Sequence, residues 1–437
     1  MPVSSLQFTN LGPFEEVSFE FDPQVNVFVG PNNCGKTTVL LALADILVDP
    51  FTMPEKLLRG QSRFSVNFAG VPGARQAVEG DFPIRHRSES PFPKWGAEDL
   101  VTIQKTNRQL GYRTFVPAIR LSTEFRAKGP GALAAATSRA QERNAWWIRD
   151  EEVVQQIIDL DYLGYRQENA ALRKLISKVG QVASRITEGF PIEFVRIAED
   201  KNGLFPQFNT PDGTIPLNVL SQGTQSVIQW CADLLIGYAK FYDFPKSLDD
   251  KPGVLIIDEI DAHLHPSWQR RILPVLTEEF PSLQIFCATH SPLTLSGLKA
   301  GQVQLLKRDA KGKITVSRNE TDIQGWSADE IYGTLLGVEP TDLATTQKLD
   351  RVHELRRKEG KLSPKEKREL ESLREELHQG LAAPFLAQQA DVLASRLKQA
   401  ARDSAKGKGK PAPPKKTAKS AKRSTKKTAP ARRRRKR

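Results

Sequence analysis

The chain has 437 residues, 39% hydrophobic and 26% charged, enough for one large or two modest domains with real cores. Its net charge of +13 averages two unlike parts: residues 401–437 hold 17 Lys/Arg against one acid, Asp403, so they carry +16 and the preceding 400 residues are faintly acidic at −3. No run approaches the ~18 apolar residues of a spanning helix, the start MPVSSLQFTN lacks a signal-peptide profile, and Cys34, Cys231 and Cys287 stand far apart in no metal spacing, which predicts reduced thiols in a cytosolic protein.

In chain order, LQFTN and VSFEF predict a paired strand start, and VNVFVG (25–30) a short buried strand. TTVLLALADILV follows as an apolar helix closed by Asp49-Pro50. Residues 50–190 carry weaker signals: FSVNF reads as a strand, SPFPKW and RAKGPG as loops, and Ala132 to Glu188 as helical. IEFVRIAEDKNGLFPQFNTPDGTIPLNVL returns to strands, with turns at Asn202-Gly203 and Asp212-Gly213. GVLIIDE and LQIFCATH are apolar runs ending in polar residues, as buried parallel strands do where they deliver chemistry at their carboxyl ends. VQLLKRDAKGKITVSR predicts a hairpin. After Glu330 the chain reads as helical, with a capping box at Ser363-Pro364-Lys365-Glu366.

The strand–loop–helix around GPNNCGKTT, Gly30 to Thr38, carries the chemistry. Gly30-x4-Gly35-Lys36-Thr37 matches the Walker A pattern: glycines let backbone N–H groups of the loop, from Asn33 to Thr38, turn inward on phosphate oxygens, and the helix N-terminus points at the same spot. Lys36 would reach the β- and γ-phosphates of ATP, and Thr37 would ligate Mg²⁺. Asp258 and Glu259 end an apolar strand, where two adjacent acids are costly without a cation. Asp258 would hold Mg²⁺ through water and Glu259 would polarise the attacking water.

Leu220-Ser221-Gln222-Gly223-Thr224-Gln225 precedes that acidic pair and Ala288-Thr289-His290 follows it. In this order the four segments resemble the ATP-binding-cassette ATPases. The resemblance implies two heads that sandwich two ATP molecules, with Ser221, Gly223 and Gln225 as the signature facing a partner's nucleotide, His290 sensing the γ-phosphate, and a homodimer formed through ATP. The signature is a variant, since the usual LSGGQ is here LSQGTQ. Asp261-Ala262-His263-Leu264-His265-Pro266, the opening LQFTNLGPFEEVSFEF, ATHSP and GWSADEIYGTLLG resemble the branch that holds RecF, SMC proteins and the overcoming-lysogenization-defect (OLD) nucleases, and stand-alone ATPases of antiphage systems such as Septu. The likeness covers roughly residues 1–60 and 190–340.

The expected fold is therefore α/β: a P-loop ATPase head with a mixed sheet over 1–60 and 190–330, a partly helical insertion over 61–189, a helical extension over 331–400 and a disordered basic tail over 401–437. The OLD nucleases add a Toprim domain, with a glutamate and a DxD pair. The one DxD, Asp159-Leu160-Asp161, sits in a helical stretch, so a nuclease would come from another chain. His263 and His265 lack third and fourth metal ligands at suitable spacing. The tail resembles the lysine-alanine-proline tails of linker histones and predicts salt-sensitive, sequence-tolerant nucleic-acid binding by counterion release; no lipidation motif or apolar helix accompanies it to hold a membrane. Trp146-Trp147 could stack on bases but reads better as half core and half surface. Leu349, Val352, Leu355, Leu370, Leu373 and Leu377 recur at helical spacing as a packing or partner-binding face. The expected activity is ATP hydrolysis that drives dimerisation and controls a nucleic-acid transaction in defence or repair; a transporter motor and a scaffold with little turnover are the alternatives.

Overall fold

A computed structural model describes residues 2–48, 54–69, 77–81, 110–117, 150–166, 170–245, 247–338, 342–357 and 363–381. The tail and the Trp146-Trp147 pair lie outside them, as do SPFPKW and RAKGPG. The chain divides into two compact units, Met1–Pro340 and Thr341–Arg437.

The first unit is built on a six-stranded sheet. Its strands are β3 (Val25–Val29), β6 (Tyr112–Val116), β10 (Gly253–Ile257), β11 (Leu283–Ala288), β12 (Val303–Arg308) and β13 (Ile314–Arg318), in the order β13-β12-β3-β11-β10-β6. All pairs are parallel except the β12–β13 hairpin. Every residue of β3, β10 and β11 is buried, the run expected of strands covered on both faces. Because side chains alternate along a strand, the sheet divides two cores. Val25, Val27, Val29, Leu255, Ile257 and Ile285 enter one core; Phe28, Val254, Ile256 and Phe286 enter the other.

The second of these cores is closed by helix α1 (Lys36–Leu47) and a four-stranded antiparallel sheet of β1 (Val3–Leu11), β2 (Phe14–Glu20), β4 (Leu58–Phe68) and β5 (Ala77–Asp81). α1 is buried nearly all round, as a helix apolar on most of its faces must be. Gln284 of β11 ties the sheets together: its amide donates to the carbonyls of Val3 and Asp22 and its oxygen accepts from the Val3 N–H. The first core is closed by α2 (Asp150–Arg166), α3 (Ala170–Ile186), α4 (Gln222–Phe241) and α5 (Ile272–Glu279). A three-stranded sheet, β7 (Glu193–Asp200), β8 (Gly203–Thr210) and β9 (Gly213–Pro216), packs on α2 and α3, its turns at Gly203 and Gly213 with positive φ.

The segment 61–189, read from sequence as an insertion, supplies part of β4 and all of β5 and β6 to the two sheets of the head as well as α2 and α3. Asp159-Leu160-Asp161 lies on α2, with Asp159 buried and accepting from Gln155. In the second unit α6 (Leu343–Arg357) and α7 (Pro364–Leu381) form a hairpin. Val352, Leu355, Leu370 and Leu373 pack between them, Arg351 pairs with Glu369, and Ser363 and Glu366 close the capping box.

Candidate nucleotide site

β3 delivers the loop. A Cβ on Gly30 would stand 2.2 Å from the Leu306 carbonyl oxygen, and one on Gly35 would stand 2.5 Å from the Phe14 ring, so both positions need glycine for room. Both also hold positive φ, as does Asn33, the left-handed conformation that lets successive amides face one way. Gly35 is the N-cap of α1 and gives it no side-chain hydrogen bond, so the first amides of that helix are left for an anion. Lys36 folds over the loop, its Nζ donating to the carbonyls of Gly30 (2.9 Å) and Pro31 (3.1 Å). Burial pushes its ammonium below the ordinary lysine range, against the pull of Cys34, Asp258 and Glu259.

The acidic pair meets this loop. Thr37 Oγ1 donates to Asp258 Oδ2 at 2.8 Å, although the two residues lie 221 positions apart in sequence. Asp258 is buried, and burial raises its carboxyl above the usual range despite the Thr37 bond. A hydroxyl and a carboxylate converging here are hard oxygen donors of the kind that suit Mg²⁺. Glu259 is exposed, with φ of 48°, outside the ordinary range for a side-chain-bearing residue. Its Ile260 neighbour is anchored to Ala288.

β11 then leads to Thr289 and His290. Thr289 Oγ1 donates to Asp261 Oδ1 at 2.5 Å and accepts from the Ser291 N–H. Ser291 Oγ donates to Gln269 Oε1, and Gln269 holds the Leu264 carbonyl. These bonds lash the loop after the acidic pair to the strand end that carries His290. The His290 ring stands at the rim, where loss of solvent and then Lys36 hold its imidazole below the ordinary histidine range.

Ser221, Gly223 and Gln225 sit at the start of α4. Ser221 caps it by accepting from the Thr224 N–H. Gln225 is buried and donates to the Leu220 carbonyl. A Cβ on Gly223 would lie 2.4 Å from the His263 carbonyl, so the signature helix and the 261–265 loop touch within one chain. Ser221 and Gln222 are the exposed part of the segment. His265 uses its ring nitrogen to cap the turn Pro266–Gln269; among the described residues no cluster of three His, Cys, Asp or Glu could hold a metal.

Two features escape a reading of the sequence. The Asp261–Thr289 bond joins positions whose proximity depends on the β10–β11 register. Arg308, from the end of β12, donates from Nη2 to the Asn33 carbonyl at 2.8 Å; nothing in the local sequence distinguishes it from the other hairpin cations. No helix among the described residues is long and apolar enough to cross a membrane, and all three cysteines are free and buried.

Residues 25–296 match the family model described as "AAA domain, putative AbiEii toxin, Type IV TA system". The chain is similar to the "Retron Ec83 probable ATPase" of Escherichia coli, 38% identical across 71% of this chain and 72% of that protein. It is similar to the "Septu protein PtuA" of Bacillus thuringiensis, 23% identical across 78% of this chain and 85% of that protein. An "OLD nuclease" of Thermus scotoductus is 22% identical across 71% of this chain and 63% of its own length, so the chain spans less than two thirds of that relative. With a match that covers more than half its length and runs from β3 past His290, the chain belongs to this AAA domain family, of the P-loop ATPase type.

Proposed function

We propose that the protein hydrolyses ATP at Gly30–Thr38 and that the bound nucleotide draws two copies together to control a nucleic-acid transaction in antiphage defence. The observation that carries the reading is the Thr37–Asp258 hydrogen bond, which brings the phosphate loop and the acidic strand end into one site under Lys36. Loop amides and Lys36 hold the triphosphate. Thr37 and Asp258 would hold Mg²⁺, whose charge, when bound, neutralises the phosphate oxygens. Glu259 orients water and accepts its proton. His290, kept neutral at pH 7, donates one ring N–H at the γ-phosphate end.

The dimer reading is supported by Ser221 and Gln222, which are exposed, and by Val219 beside them, 63% exposed. A nuclease role for Asp159-Leu160-Asp161 is disfavoured by Asp159, whose burial and bond to Gln155 make it a part of the α2 packing, and any nuclease of the system would then belong to another chain. The basic tail would hold nucleic acid to this assembly.

The test is steady-state hydrolysis with size analysis. Glu259→Gln should lose about 10²- to 10³-fold in rate and accumulate as a dimer with ATP, while Lys36→Ala should neither bind nor dimerise. A Glu259→Gln protein that hydrolyses at the wild-type rate would sink the assignment.

A further inference from the structure

Arg308 lies outside the four motifs and touches the phosphate loop. Its Nη2 donates to the Asn33 carbonyl at 2.8 Å and its Nη1 to the Gly312 carbonyl at 2.6 Å. The guanidinium thus bridges the loop and the turn between β12 and β13. That turn is itself tightly held. Asp309 Oδ1 accepts from the Lys311 and Lys313 amides, and the Gly312 amide bonds back to the Asp309 carbonyl. β12 also crowds the loop two residues earlier, at the Leu306 carbonyl against Gly30. One strand end therefore bears on the loop at Gly30 and at Asn33.

We infer that Arg308 is a positioning residue of the phosphate loop, which sets nucleotide affinity by fixing the direction of the Asn33–Cys34 peptide. This rests on nucleotide binding at Gly30–Thr38. The argument is geometric. A peptide is planar and trans, so its C=O and its N–H point to opposite edges. Clamping the Asn33 oxygen to a rigid hairpin therefore fixes the Cys34 amide on the other edge. Asn33 needs such support, since its φ of 61° is uncommon for a residue with a side chain. A planar fork with several donors can hold two carbonyls at once, whereas an ammonium is a single point of charge. Its charge also acts at Cys34, inside the loop.

The role separates from that of a mere brace of the hairpin by what each would disturb. A brace matters in the nucleotide-free protein. A positioning residue matters when phosphate binds, because a loop ordered beforehand loses less freedom on binding.

The experiment is calorimetric titration of the full-length chain with a non-hydrolysable ATP analogue and Mg²⁺, together with melting of the nucleotide-free protein and the KM and kcat for ATP. Arg308→Gln should raise Kd and KM about tenfold while kcat stays within roughly threefold and the melting temperature within about 2 °C. Arg308→Lys, which keeps charge and loses the fork, should recover only a minor part. A Kd for Arg308→Gln within about twofold of wild type, full recovery by Arg308→Lys, or an Arg308→Gln protein that melts several degrees lower before nucleotide is added each overturns the inference. A wild-type chain that binds no analogue overturns it together with the nucleotide reading of the loop; binding by wild type and Arg308→Gln alike overturns the inference alone.

Discussion

Asp258 shows how a residue can be placed for function at a cost to the fold. Its carboxylate is buried at the end of β10, where it accepts hydrogen bonds from the Thr37 hydroxyl and the Glu259 backbone. Because burial raises its folded value above 3.8, the native protein takes up the proton first as pH falls. The ionised form at neutral pH is therefore a burden, and stability from this group grows as pH drops toward 3.8. Asp258→Asn keeps an acceptor for Thr37 and removes the charge. In chelator it should melt about 1–3 °C higher than wild type at pH 7, and the gap should close as pH falls through the raised value. Mg²⁺-dependent hydrolysis should be lost. A lower melting temperature for Asp258→Asn at pH 7 would contradict this account of the site. The motif residues were legible because their spacing along the chain is fixed by one loop or one strand end. The Arg308–Asn33 and Thr289–Asp261 bonds were not, since each joins partners that only the sheet register brings near.

At the scale of elements, the loops are held by helices that are themselves cross-linked. α3 packs on α4, the helix that Ser221 caps. α3 is also tied to α5, which lies between the acidic pair and β11: Lys178 and Arg185 both pair with Glu279, and Arg185 with Glu278. Arg271, just before α5, pairs with Glu188 and donates to the Arg185 carbonyl. Burial raises the Glu279 carboxyl, but the hydrogen bonds from Lys178 and Arg185 outweigh it and hold the group below its ordinary 4.5. A depressed carboxylate contributes stability above its unfolded value, and that stability is lost as pH falls through the folded value. Lys178 and Arg185 are 40% and 41% exposed, so the cluster is worth about 1 kcal/mol. Glu279→Gln should therefore melt roughly 2 °C lower at pH 7 and lose less than wild type between pH 5 and pH 3; equal melting curves at both ends would rule the clamp out. Elements with a strong local pattern, β3 into α1 and the β12–β13 hairpin, could be read from the sequence. β6 could not. Among the described residues its YRTFV pairs with β10 alone, from Gly253 on, and no periodicity in a five-residue strand reports a pairing so far away.

For the whole molecule, the question is how a faintly acidic body and a strongly basic tail work as one protein. The body has no net positive charge, while residues 401–437 carry 17 Lys/Arg and one acid. If six to ten of these neutralise phosphates, affinity for duplex DNA should fall about 10³- to 10⁵-fold between 50 and 200 mM salt, whatever the sequence. A tail that binds DNA would also raise the local concentration of DNA around the ATPase it is joined to. Two coupled measurements follow from this. Removal of everything after Ala400 should flatten the salt dependence of binding. If the head's cycle answers to DNA, duplex DNA should raise hydrolysis by the intact chain at moderate salt and leave the shortened chain unchanged, with Glu259→Gln as the blank. Stimulation that survives truncation would move the DNA contact onto the body. Hydrolysis indifferent to DNA in both chains would leave the tail without a coupling role and turn attention to a protein partner as the trigger.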